Sequence, residues 1–250
     1  DSVSTLSESR ELLACLHTTV IPGAFDRVSE HVMPLHNRQG EVGAILCGLP
    51  FLRPRDIVLS ESGESSSDKQ HKLGEAISQL YQGCFAHATE LNTSLPKPVP
   101  IVATGHLTTV GASTSESVRD IYIGSLDAFN ANLFPAADYI ALGHIHRAQV
   151  VAKSEHIRYS GSPIALSFDE LTSQNEAQKS VFLVEFVDTK LAQVTPLMVP
   201  MFQAMQVLKG DLDSIAQQLS TFEDKHATEQ TTWLSIEVSL QDYLSDLQSR

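Results

Sequence analysis

Positive charge is scarce in this chain. Its 250 residues carry 17 Lys and Arg against 30 Asp and Glu, a net charge of −13. That argues against a general electrostatic grip on nucleic acid, because non-specific DNA affinity comes mostly from Lys and Arg at phosphates. A local basic groove, or a partner that supplies the charge, stays open. Cysteine is scarce too: Cys15, Cys47 and Cys84 are odd in number, widely spaced and include no C-x-x-C. This speaks against a disulfide framework and for a reducing, cytoplasmic setting, with Cys47 and Cys84 as buried thiols in apolar patterns. No apolar run approaches the roughly 20 residues needed to span a bilayer, and no secretory h-region stands near the start. An initiator methionine is also lacking, since the chain opens Asp1-Ser2-Val3. It is therefore expected to be a processed or excised piece. What is present, 42% hydrophobic and 19% charged residues, reads as a globular chain of one large domain or two small ones.

Along the chain, Ser4 to Leu16 reads as a weakly amphipathic helix. Val28 to Leu35 and Glu41 to Phe51 flank the turn-rich Asn37-Arg38-Gln39-Gly40, which predicts a hairpin. Its second arm, Val42 to Cys47, is apolar on both faces, as an interior strand covered on two sides would be. A polar loop, Ser60 to Ser67, leads to Asp68 as a helix cap. Leu73, Ile77, Leu80, Tyr81, Cys84 and Ala88 then repeat at helical spacing as core. Val99 to Ala103 reads as a second interior strand. Arg119 to Gly124 reads as a short strand, and Ser125 as the cap of a short helix from Leu126. Two hairpins are expected later, around Lys153-Ser154-Glu155 and around Asp188-Thr189-Lys190. A boundary is expected near Pro200. Beyond it come a strand over Gln203 to Lys209, a helix capped by Asp211 and bearing Leu212, Ile215, Leu219 and Phe222, and an alternating strand over Trp233 to Leu240. Asp242 to Arg250 begins a further helix. The last segment thus reads as a small β-α-β unit.

The residue types that carry chemistry are histidines. Tyr139 to Leu142 is a short apolar run ending at Gly143, followed at once by His144-Ile145-His146. Residues i and i+2 of an extended segment point to the same side, so the two imidazoles are expected to face one spot, and neutral imidazole is the commonest metal-ligand side chain. A His-x-His pair alone is as often surface decoration. However, the pattern of apolar strand, Gly and His occurs a second time, at Thr104-Gly105-His106, 38 residues earlier. Functional groups in open α/β sheets collect where strands end, so two such sites make a shared metal centre the better reading. His17, His31, His36, His71, His87, His156 and His226 lie in amphipathic or turn contexts and are expected at the surface or core edge. Ser160-Gly161-Ser162-Pro163 is expected to pack against the site. Arg53 and Arg55 offer charge for a phosphate contact and no more.

Gly105-His106 and Gly143-His144-Ile145-His146 resemble the last two motifs of the calcineurin-like metallophosphoesterases. The text around them, Thr104 to Ala112, Val118 to Gly124, Asp138 to Arg147 and Tyr159 to Pro163, resembles in particular the SbcD family of that superfamily, the nuclease subunits of bacterial SbcCD complexes. The resemblance implies an α/β fold. Residues 1–199 would be the C-terminal part of a metallophosphoesterase αββα sandwich, and 200–250 the start of a small α+β cap domain. It further implies that His106 and His144 bind one ion of a pair and His146 the other. Independently of the resemblance, Arg119 and Asp120 follow the Gly105-His106 loop and are expected either to support it through hydrogen bonds or to form a local ion pair. The family's first three motifs, with the carboxylates, the asparagine and the general-acid histidine, are expected before Asp1, so no catalytic acid is expected within this chain.

From the same resemblance come Mn²⁺ as cofactor, an SbcC-type ATPase as partner, DNA ends and hairpins as substrate, and a homodimer in the parent complex. Ligand chemistry alone does not choose the ion, and three imidazoles without a carboxylate suit Zn²⁺ as well. Two other readings stand beside this one: a phosphoesterase of the same superfamily acting on small phosphoesters, and a scaffold whose histidines bind nothing. A sheet lacking its first strands is also expected to leave Val42 to Cys47 and Val99 to Ala103 as an apolar edge in need of cover.

Overall fold

The computed structural model describes residues 3–58, 63–110, 112, 128–172, 178–221 and 231–239. After helix α1 (Val3–Ala14), strands β1 (Val32–His36) and β2 (Val42–Cys47) form the expected hairpin. Asn37 closes it: its side-chain oxygen accepts from the backbone N–H of Gln39 at 3.0 Å and of Glu41 at 2.9 Å, and Gly40 takes φ 84°. A single helical turn, α2 (Pro54–Ile57), precedes the long helix α3 (Ser66–Thr93). Here the cap differs from the expectation. Ser65 is the N-cap, accepting from the N–H of Asp68, whose carboxylate accepts in return from the Ser65 N–H. Asp68 is the far half of a capping box, because a carboxylate three residues in reaches back to the N-cap amide.

Strands β3 (Ile101–His106), β4 (Tyr139–Gly143), β5 (Gln149–Val151) and β6 (Ser154–Tyr159) join the hairpin in a six-stranded sheet of order β1-β2-β3-β4-β6-β5. The four middle strands are parallel; β1 and β5 are antiparallel edges. Parallel strands need a crossover, and α3 supplies the one from β2 to β3. Its buried stripe of Leu73, Ile77, Tyr81, Cys84 and Ala88 is part of the core cluster that includes Ile45, Ile101, Ile140, Leu142 and Ile157 of the sheet. Asp138 sets β4 beside β3, its carboxylate accepting from the Ile101 N–H at 2.8 Å and its own N–H donating to the Ile101 carbonyl at 2.9 Å.

Two expectations are corrected here. Val42 to Cys47 and Val99 to Ala103 do not form an open edge: β2 lies between β1 and β3, and β3 between β2 and β4. The helix expected from Leu126 does not run through residues 128–130. Phe129 instead bridges to Thr109, and a 3₁₀ turn at Ala131–Leu133 is capped by the Asn130 side chain accepting from the Asn132 N–H. Burying Phe129 against Tyr81 and Phe134 favours the extended path over a helix. The strand expected at Arg119 to Gly124, and the helix from Asp242, lie outside the described residues.

Strands β7 (Lys179–Val187) and β8 (Lys190–Val199) pair antiparallel as a separate two-stranded sheet, turning through Asp188 and Thr189 at φ 48° and 71°. After Pro200, β9 (Met205–Gly210), α4 (Leu212–Ser220) and β10 (Trp233–Val238) form the expected β-α-β unit, with β9 and β10 parallel. Asp211 caps α4, accepting from the Ser214 N–H at 2.8 Å. Phe222 and Leu240 lie outside the described residues.

Candidate metal centre

The two Gly-His pairs become neighbours because their strands pair in parallel, with Gly105 beside Leu142 and His106 beside Gly143. Each glycine is there for space. A Cβ on Gly105 would stand 2.1 Å from the Tyr81 hydroxyl oxygen, which is held in place by donating to the Thr104 carbonyl at 3.0 Å. A Cβ on Gly143 would stand 3.2 Å from Nδ1 of His106. The second glycine thus makes room for the histidine of the first pair. The His106 and His144 rings lie 5.3 Å apart between centroids, and the edge of Phe51 closes on His106 at 6.1 Å.

Those neighbours set the electrostatics. His106 keeps an exposed edge, yet its ring is crowded enough that desolvation lowers its pKa below the ordinary imidazole value, and His146 nearby adds to the lowering. Burial disfavours the charged form of a base, so His106 is neutral with a lone pair to offer. His144 is buried.

The path from His144 to His146 differs from the extended segment expected from sequence. Strand β4 stops at Gly143, and His144 takes φ 92°, in the left-handed region that costs a side chain with a Cβ. Ile145, fully buried between the two histidines, anchors the chain there, so a turn delivers the pair. Gly161, at φ 76°, fits against this turn where a Cβ would meet the His146 carbonyl and the Ala148 N–H, both at 2.9 Å. The Ser162 N–H then donates to that same carbonyl at 3.1 Å. The Ser160 to Pro163 loop does pack on the site.

Behind His146 stand groups that sequence reasoning missed. Glu170, whose side chain is fully buried, lies with Oε1 3.1 Å from His146 Nδ1, and its other oxygen is paired with the Lys179 ammonium. Lys179 also donates to the His146 carbonyl at 3.1 Å and to Ser162 Oγ at 2.9 Å. No periodicity marks Glu170. For Lys179 the signal was a charge just ahead of the apolar run Val181 to Val184. Arg119 and Asp120, the expected support, lie outside the described residues. Of the histidines expected to be bland, His31 is fully buried: its Nε2 accepts from the Phe25 N–H at 3.0 Å, and Nδ1 lies 3.1 Å from the Gly48 carbonyl.

Among the described residues, no group of three or more His, Cys, Asp or Glu side chains gathers closely enough to hold a metal ion. The donor chemistry nevertheless fits a shared centre in part. His106 and His144 form a close imidazole pair, and His146 is a third imidazole held on a carboxylate, as metal-binding histidines commonly are.

Similarity to known proteins covers the whole chain. It is 52% identical over all 250 residues to the SbcD subunit of the SbcCD nuclease of Escherichia coli K12, of which it spans 60%. The chain is a homologue of SbcD. More distant SbcD relatives are those of Rhodobacter capsulatus, 32% identical over 152 residues (60% of this chain, 36% of that protein), and of Bacillus subtilis, 26% over 227 residues (82% and 55%). A family profile, SbcD_C, described as the Type 5 capsule protein repressor C-terminal domain, matches residues 201–250. The mixed α/β architecture is consistent with the C-terminal part of an SbcD metallophosphoesterase fold. No helix among the described residues is long and apolar enough to cross a membrane.

Proposed function

We propose that this SbcD-like chain supplies half of the metal site of a DNA nuclease, with His106, His144 and His146 as ligands. The observation that carries this reading is the register of β3 against β4, which sets two Gly-His pairs 38 residues apart in sequence side by side at neighbouring strand ends. The desolvated, neutral His106 and the carboxylate-backed His146 support it. Mn²⁺ is the ion that the family resemblance implies; the imidazoles by themselves accept Zn²⁺ equally. The remaining ligands and the general acid come, in this reading, from the part of the protein that the alignment to its relatives leaves outside these 250 residues. The ions that His106, His144 and His146 would help hold would supply an activated water and charge stabilisation for the oxygens of a phosphodiester. The chain's own part is to present neutral imidazoles, hold His146 by its back nitrogen and main-chain carbonyl, and fix the turn at Gly161.

The whole protein, in this reading, is the nuclease of an SbcCD-type complex with an SbcC ATPase. It acts as an ATP-dependent double-strand exonuclease and a single-strand and hairpin endonuclease in DNA repair, recombination and replication, and works as a homodimer in the cytoplasm. The unit after Pro200 is its cap domain. The 250 residues alone are expected to be inactive. The test is cleavage of linear duplex DNA and of a phosphomonoester by the full-length protein with its ATPase partner, with and without Mn²⁺, beside a His144→Ala/His146→Ala variant. Mn²⁺-dependent degradation of the duplex that the variant loses is expected; a preference for the phosphomonoester overturns the DNA reading. Titration of Mn²⁺ and Zn²⁺ into both proteins separates out the scaffold alternative, in which both bind metal equally weakly.

A further inference from the structure

The β7–β8 hairpin contains one buried residue among its 19 described strand positions, and that residue is a lysine. A buried ammonium is costly unless paired and hydrogen-bonded, so its surroundings carry information. Lys179 has three protons to donate, and three acceptors take them: the Glu170 carboxylate, Ser162 Oγ and the main-chain carbonyl of His146. Ser162 in turn donates to the Ile164 carbonyl at 2.8 Å. Glu170 Oε2 also accepts from the Leu166 N–H at 3.3 Å. Lysine and a backbone amide only donate, and a carboxyl paired with the Lys179 ammonium is a carboxylate, so neither of its oxygens carries a proton to give. Its Oε1, 3.1 Å from His146 Nδ1, therefore accepts from that nitrogen. The His146 tautomer follows: the proton is on Nδ1 and the lone pair on Nε2.

We propose that Glu170, fixed by Lys179, is the positioning residue of the metal centre, locking His146 as the Nδ1–H tautomer so that Nε2 is the ligating atom. The inference rests on the reading of His146 as a metal ligand. It assigns a role to two residues lying 24 and 33 positions beyond that histidine, and it makes β7 part of the site. Lys179 acts twice, pinning the carboxylate that holds the ring and the carbonyl of the residue that bears it. Truncating either member alone leaves a buried charge unpaired, whereas removing both leaves none.

The test uses the full-length protein with ¹⁵N-labelled histidine, in wild type, Glu170→Gln, Glu170→Gln/Lys179→Met and His146→Ala forms. Nitrogen chemical shifts of the metal-free protein report the His146 tautomer, direct Mn²⁺ titration the affinity, and thermal unfolding the fold. A wild-type His146 protonated on Nδ1 is expected, with loss of that single tautomer and roughly 10–100-fold weaker Mn²⁺ binding in the folded double variant. A wild-type ring protonated on Nε2 overturns the inference without any variant. Weakened binding in His146→Ala beside wild-type affinity in the double variant overturns it too. Unchanged affinity in His146→Ala instead overturns the ligand assignment itself.

Discussion

The six-stranded sheet and the β7–β8 hairpin are written in nearly the same letters and end in opposite environments. In the sheet, Ile45, Ile101, Ala103, Ile140 and Leu142 are buried, flanked by strands on both sides and sharing one core cluster with α3. In the hairpin, Val181 is 45% exposed, Leu183 and Leu197 48%, and Met198 63%. β-propensity makes both into strands, but a strand's burial is conferred by its neighbours. The hairpin has a single strand neighbour for each strand and spends its one buried position on Lys179, at the end that meets the site. The sheet holds the site up from below; the hairpin reaches it through one ammonium.

The sharpest way to break this comparison is a matched pair of truncations. Ile140→Ala in β4 is expected to cost about 2–5 kcal/mol in urea unfolding, because it empties a fully enclosed position. Leu183→Ala in β7 is expected to cost under about 1 kcal/mol, since half the side chain is already in water. Equal losses would show that the hairpin is packed as tightly as the sheet.

A smaller effect sharpens the sheet's side. Gly105→Ala drives a Cβ into the Tyr81 hydroxyl and is expected to cost about 1–3 kcal/mol. Tyr81→Phe in the same protein removes the oxygen that clashes, so partial recovery of the urea midpoint is expected. A Gly105→Ala penalty untouched by Tyr81→Phe would place the strain elsewhere.

The smallest effect is a pH slope. Burial lowers the His31 pKa, against weaker opposing contributions from the Gly48 carbonyl and Glu30. A base with a lowered folded-state pKa takes up its proton first in the unfolded chain. Stability is therefore full above the ordinary imidazole pKa, falls as pH drops through it, and levels off once the folded form is protonated as well. Urea midpoints at about pH 7.5 and about pH 5 should converge for His31→Gln relative to wild type; parallel slopes would mean His31 titrates alike in both states.

Much of the fold was legible in the residues. Asn37 to Gly40 and Asp188-Thr189 marked their turns, and the spacing of Leu73, Ile77, Tyr81, Cys84 and Ala88 marked α3. Asp211 marked the cap of α4. The choice between Ser65 and Asp68 as cap was not, because both residue types cap helices and only the backbone at Ser65 shows which is which. The extended reading of His144 to His146 failed because periodicity says nothing about a residue held at positive φ by a buried neighbour.

By itself, the sequence determined that two strands would end in Gly-His. It determined too that the text around them belongs with SbcD, since local apolar runs, glycines and motif residues are written in the order they are used. Only the tertiary structure decided that His106 lies beside Gly143, that Ile145 turns the chain between two imidazoles, and that Glu170 and Lys179 stand behind His146. The contacts of His106 with Gly143 and of His146 with Glu170 and Lys179 join residues 24 to 37 positions apart in the chain. Strand register and the need to pair a buried charge select them, and neither is visible in any local window of residues.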